Sequence, residues 1–106
     1  MDATTKIRDL NDRFRQTLAG GRVVMTRGIA DREDNSAVIA RVRQFSDFSS
    51  DNDPYGEHDF GAFDHAGDKI FWKIDYYDRA LQCGSEDPSD PEATTRVLTI
   101  MLADEY

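Results

Sequence analysis

The chain is poor in the residues that usually carry covalent chemistry. It has one cysteine and two histidines in 106 residues. Cys83 cannot close an internal disulfide and has no Cys or His neighbour at metal-ligand spacing, so it reads as an ordinary thiol of a reducing compartment. No apolar run reaches the roughly eighteen residues of a membrane span, and no basic-then-apolar leader follows Met1. The expectation is a cytoplasmic protein. Internal repeats, low-complexity tracts and long linkers are also missing, so residues 1–106 are read as a single domain.

Positive charge is scarce in the middle of the chain. Residues 47–92 hold three Lys or Arg against thirteen Asp or Glu, whereas residues 1–46 hold nine against six, within a net charge of −8. Such a field repels nucleic acid and attracts basic partners, so direct nucleic-acid binding is not expected and a basic protein surface is. Acidic loops also serve solubility alone. With 39% hydrophobic residues there is enough apolar material for one modest core.

Apolar Ile7, Leu10, Phe14 and Leu18 recur at intervals of three and four, which predicts an amphipathic helix over 4–18 with its arginines outward. Thr4 or Thr5 is the expected cap and Gly20-Gly21 the stop. RVVMTRG (22–28) predicts a strand buried on at least one face, and the stripe Val38, Ile39, Val42, Phe45 predicts a helix over 35–46. SDFSSDNDPYG is turn-forming, and strands follow over 57–64 and 69–77 across HAGD. DPEATTRVLTIMLADEY predicts a last helix capped by Asp90, with Pro91 at its first position and Val97, Leu98, Met101 and Leu102 as its stripe. The architecture expected is α+β: a small, mainly antiparallel sheet of about three strands with helices packed on one face.

A four-residue HAGD turn pairs Asp64 with Lys69, Phe63 with Ile70, Ala62 with Phe71, Gly61 with Trp72 and Phe60 with Lys73, and carries on to His58 with Asp75. Phe63, Ile70, Trp72 and Ile74 then form a core face, and Gly61 leaves room for the indole. The opposite face carries His58, Phe60, Phe71, Lys73, Asp75 and Tyr77. Rings interleaved with charges give a binding surface both area and orientation.

The candidate partner-binding residues are therefore Asp51, Asp53, Tyr55, Glu57, His58, Asp59, Phe60, Phe71, Lys73, Asp75 and Tyr77, with Tyr76 adding ring area. His58 and Asp75 also read as a simple cross-strand ion pair. The alternative function is a metal-dependent enzyme or metal-binding protein centred on His58, Asp75 and Glu57, since histidine with carboxylates suits both tasks. Adjacent strand residues point to opposite faces, which argues against Glu57 and Asp59 joining His58. No cofactor and no catalytic residue is assigned. AGGR (19–22) lacks the Gly-Lys-Ser/Thr ending of a phosphate loop and reads as a helix stop. His65 is expected in water, and Ser36, Ser46, Ser49 and Ser50 have no placed base.

DNDPYGEHDFGAF, FWKIDYYD and TTRVLTIMLADEY, together with IRDLNDRFR and GGRVVMTRGI, resemble the small bacterial proteins grouped as domain of unknown function 3768 over nearly the whole chain. The resemblance carries over no activity and no catalytic residue, because that family has no established function. Its members resemble short accessory proteins of bacterial chromosomes and mobile elements. That implies an interaction protein, including an inhibitor of host defence, before a metabolic enzyme. The acidic middle segment and the aromatic hairpin face motivate the sharper expectation, an inhibitor that occupies the nucleic-acid site of a defence or DNA-processing complex as acidic DNA mimics and anti-CRISPR proteins do. A self-associating scaffold using the aromatic face is a third reading.

Overall fold

A computed structural model describes residues 1–106. Helix α1 (Ala3–Thr17) leads into strand β1 (Gly21–Met25), a single helical turn α2 (Arg27–Ala30) and helix α3 (Asn35–Gln44). Strands β2 (Phe60–His65), β3 (Asp68–Tyr77) and β4 (Thr95–Leu102) follow, and a short 3-10 turn closes the chain at Ala103–Glu105. The four strands lie in the order β1-β4-β3-β2. The β2–β3 and β3–β4 pairs are antiparallel, whereas β1 runs parallel to β4. The fold is α+β with helices on one face, and it has one strand more than expected. No helix is long and apolar enough to cross a membrane.

The extra strand is β4, which replaces the expected C-terminal helix. Arg96, Leu98 and Ile100 are buried on the helix side, while Thr95, Val97 and Thr99 alternate with them on the other. Period two thus governs residues 95–100, and the run of Thr, Val and Ile suits a strand better than a helix. Met101 and Leu102 are both apolar, and this doubling at the strand's end imitates a helical stripe. Paired on both edges, β4 holds the centre of the sheet.

Other boundaries moved for local reasons. Asp2, not Thr4 or Thr5, caps α1 by accepting from the Thr5 N–H at 2.8 Å. That bond holds its carboxyl below the usual range. The helix stops at Leu18, which takes the left-handed conformation (φ 59°) two residues before the glycines. β1 ends at Met25 and lies at the sheet edge, with Val23 and Val24 exposed rather than buried.

The hairpin follows the expected register from Phe60↔Lys73 to Asp64↔Lys69. Ala66 (φ 50°) and Gly67 (φ 87°) form the two central positions of its turn, both at positive φ as the twist of a tight hairpin requires. His65 is not in water: its Nε2 meets Asp34 Oδ2 at 3.0 Å, while Arg32 bridges Asp34 and Asp68 and ties the hairpin tip to the start of α3. Arg32 foremost, then His65, pulls Asp34 down to about 2.

The core sits between the sheet and the helices, where Phe14, Ile29, Val38 and Val42 meet Phe63, Ile70, Trp72, Ile74, Leu98 and Ile100. Trp72 at its centre is fully buried. A Cβ on Gly61 would overlap the indole, so a glycine is required opposite it. Gly61→Ala is expected to lower unfolding free energy by about 1–3 kcal/mol through overpacking, read by chemical denaturation. Unchanged stability would mean that the indole can shift aside.

Candidate functional site

The segment between α3 and β2 folds back over α1 instead of extending the sheet. Phe45 and Phe48 pack edge-on to Trp72, and Phe48 stacks on the His58 ring at 3.7 Å with 3° between the planes. His58 itself is in the left-handed region (φ 54°), where its N–H donates to Asp53 Oδ1 at 3.1 Å. Its Nδ1 faces the Asp12 carboxylate at 2.9 Å and its Nε2 lies 3.6 Å from Asp53 Oδ2. The ring is thus held between a helix carboxylate and a loop carboxylate. Asp12 also accepts from Arg15 at 3.0 Å.

Arg15 was expected to face solvent, yet it is almost wholly buried. One guanidinium nitrogen donates to the carbonyls of Val42, Arg43 and Phe45, capping the end of α3, and the group lies over the rings of Trp72 and Phe48. Burial lowers its affinity for the proton and Asp12 opposes the shift.

A second polar chain runs beside the first. The fully buried Asn11 donates through Nδ2 to the Glu57 carbonyl (2.9 Å) and to the Tyr76 hydroxyl (2.8 Å), and its Oδ1 accepts from Arg96 Nε (2.7 Å). Tyr76 in turn donates to Glu57 Oε1 at 2.7 Å, and Arg96 reaches the Pro88 carbonyl. Burial, reinforced by the bond to Glu57, raises the Tyr76 pKa, so the phenol stays neutral and remains a donor. Asp59, half-buried beside Glu57, is pushed above the usual carboxylate range, first by burial and then by that neighbouring charge.

These contacts divide the candidate residues. Phe60, Phe71, Lys73, Asp75 and Tyr77 share the sheet face that no helix covers, with Phe60 and Phe71 in edge contact at 5.2 Å and Tyr106 packed on Phe71 at 6.0 Å. Asp53, Glu57 and His58 turn towards α1 instead, and the Asp53 side chain is only 6% exposed. Asp51 and Tyr55 are exposed on the loop.

The expected His58–Asp75 pair does not form. Pairing ends where the Asp59 carbonyl accepts from Ile74 N–H, and the positive φ at His58 swings its ring to the helix side, leaving Asp75 bound to Lys73 at 2.9 Å. Tyr76 likewise lies on the helix side, outside the open face. Glu57, His58 and Asp75 do not converge, and no group of three His, Cys, Asp or Glu side chains is placed to hold a metal ion. Sequence reasoning missed Asn11, Asp12, Arg15 and Arg96. Asn11 does stand four residues after Ile7, on the apolar stripe, and that position was the available signal.

A family model described as a protein of unknown function (DUF3768) matches residues 25–105. The chain belongs to the DUF3768 family. The match opens at Met25, so it takes in the hairpin, β4 and the acid-rich loops at 47–59 and 78–92, while α1 with Asn11 and Asp12 precedes it. No curated protein and no solved structure shows detectable similarity to this chain.

Two variants probe the polar chains of this DUF3768 protein. Asn11→Leu removes the acceptor of buried Arg96 Nε and the donor to the Tyr76 hydroxyl and the Glu57 carbonyl, and is expected to lower stability by about 2–3 kcal/mol in a denaturant titration. Asp59 has a raised folded-state pKa, so the stability linked to its protonated form is lost as pH rises through that value. Asp59→Asn is therefore expected to be the more stable form at about pH 7, with the difference closing towards about pH 4. A difference independent of pH would show that ionisation of Asp59 is not what matters.

Proposed function

We propose that this chain is an acidic interaction protein that docks a basic surface of another protein. The observation that carries the reading is the chain of hydrogen bonds Glu57–Asn11–Arg96–Pro88, which draws together two acid-rich loops distant in sequence. Residues 47–59 contain five acids and no Lys or Arg, and residues 78–92 contain five acids and Arg79. Asp47, Asp51, Glu86, Asp87, Asp90 and Glu92 are exposed on them. Tyr55 (80% exposed) and Tyr77 (37%) supply ring surface within the loop and at its border. Charge complementarity of this kind selects a basic partner and speeds encounter.

The finer form of the proposal is an inhibitor that occupies the nucleic-acid site of a nucleic-acid-handling or defence complex, where a protein surface is already built to receive closely spaced negative charge.

The test is to capture partners from lysate of the source cell on tagged protein, elute with salt, and titrate the captured basic protein with wild type and with a variant carrying Asn or Gln at the six exposed acids. Binding should weaken about tenfold or more and its salt dependence should flatten. Full affinity in the neutralised variant would remove the acidic surface as its cause. Competition by duplex DNA for the same partner separates the inhibitor form from simple docking.

A further inference from the structure

In a chain with thirteen Lys and Arg against twenty-one acids, a cation without a partner is out of the ordinary. Nine are engaged: Arg8, Arg15, Arg27, Arg32, Arg41, Arg43, Lys69, Lys73 and Arg96 each meet a carboxylate, a carbonyl or another oxygen or amide acceptor. Lys6, Arg13, Arg22 and Arg79 make no such contact. Lys6 stands on the first turn of α1, and the other three gather around Gly20 at the opposite end of that helix.

Arg22 from β1, Arg79 from just beyond β3 and Thr95 at the start of β4 line one cleft of about 390 Å³ with Gly20 and Gly21. Arg13 lines an adjoining depression that shares Gly20. No carboxylate lines either. Asp78, the chain neighbour of Arg79, has its Oδ1 bonded to the Gln82 N–H at 2.9 Å. Gly20 (φ 95°) has open space where a side chain would stand, so the backbone there is free to be approached.

We propose that this cleft binds a phosphate group. Two guanidinium forks from separate segments match the bidentate geometry of phosphate oxygens, and the Thr95 hydroxyl adds a third donor. The net charge of −8 repels an anion only at long range. At physiological salt the screening length is about 8 Å, so groups in direct contact decide the binding.

The phosphate can be free or part of an ester. Thr95 pairs with Tyr77, and Arg22 pairs with Val97, which places Tyr77 and Arg22 with Thr95 on the open sheet face. Tyr77 is therefore a ring next to the cleft on which the base of a nucleotide could stack.

Calorimetric titration with sodium phosphate and with adenosine 5′-monophosphate, at about 0.15 M salt, tests the site, with the amide resonances of Gly20 and Gly21 as a second readout that needs no heat. Saturable binding is expected, weakened about tenfold or more in Arg22→Ala and in Arg79→Ala and retained in Lys6→Ala. Both arginines are exposed, so the variants keep the fold. Tighter binding of the nucleotide assigns the ester as the natural source, and equal binding assigns free phosphate. No saturable response to either probe, or full binding in both arginine variants, overturns the proposal.

Discussion

Two guanidinium groups lie almost wholly out of water, and the rest of the molecule is arranged to hold them. Neither Arg15 nor Arg96 is neutralised by a close bidentate carboxylate. Arg15 closes the end of α3 through three carbonyls and rests on Trp72 and Phe48, with Asp12 its one acidic partner. Arg96 is held by Asn11, the Pro88 carbonyl and the ring of Tyr76. A buried guanidinium is tolerated only where such acceptors and rings replace water, so α1, α3, β4 and both loops must arrive together. The position of His58 follows, because it shares Asp12 with Arg15.

The same arrangement shapes the surface. Arg96 belongs to an inner strand of the sheet, and it ties both acid-rich loops to that strand, the one at Pro88 directly and the one at Glu57 through Asn11. With the helices committed to one face, the other is left to Phe60, Phe71, Lys73, Asp75 and Tyr77. Most cations are consumed in holding the fold together: Arg32 pins the hairpin tip, and Arg41 and Arg43 donate to carbonyls. Arg22 and Arg79 are spared that duty, and both stand on the rim of one cleft.

Much of the fold was legible in the sequence where the signal is local. The hairpin register could be read because HAGD fixes the offset and only glycine fits opposite Trp72. Helices α1 and α3 could be read from their stripes, although Arg15 hides on the buried side of the first. β4 was misread because its last two residues are both apolar and because an Asp-Pro pair before it looks like a helix start. Nothing within residues 90–106 says that they will be flanked by β1 and β3, and that pairing is what selects the strand.

The candidate site was legible in its composition and not in its geometry. Acids and rings are present in residues 51–78, yet one left-handed residue, His58, ends the strand pairing and turns that ring from the open face to Asp12. By itself, then, the sequence determined the α+β class, the hairpin and the acidity of the middle segment, since these depend on neighbours in the chain. The tertiary structure alone decided the central strand, the inward turn of Asp53, Glu57 and His58, the link between the two acidic loops through Asn11 and Arg96, and the unpaired arginines around Gly20. Each of these rests on contacts between residues far apart in sequence, as between Asn11 and Arg96, and a local pattern carries no record of them.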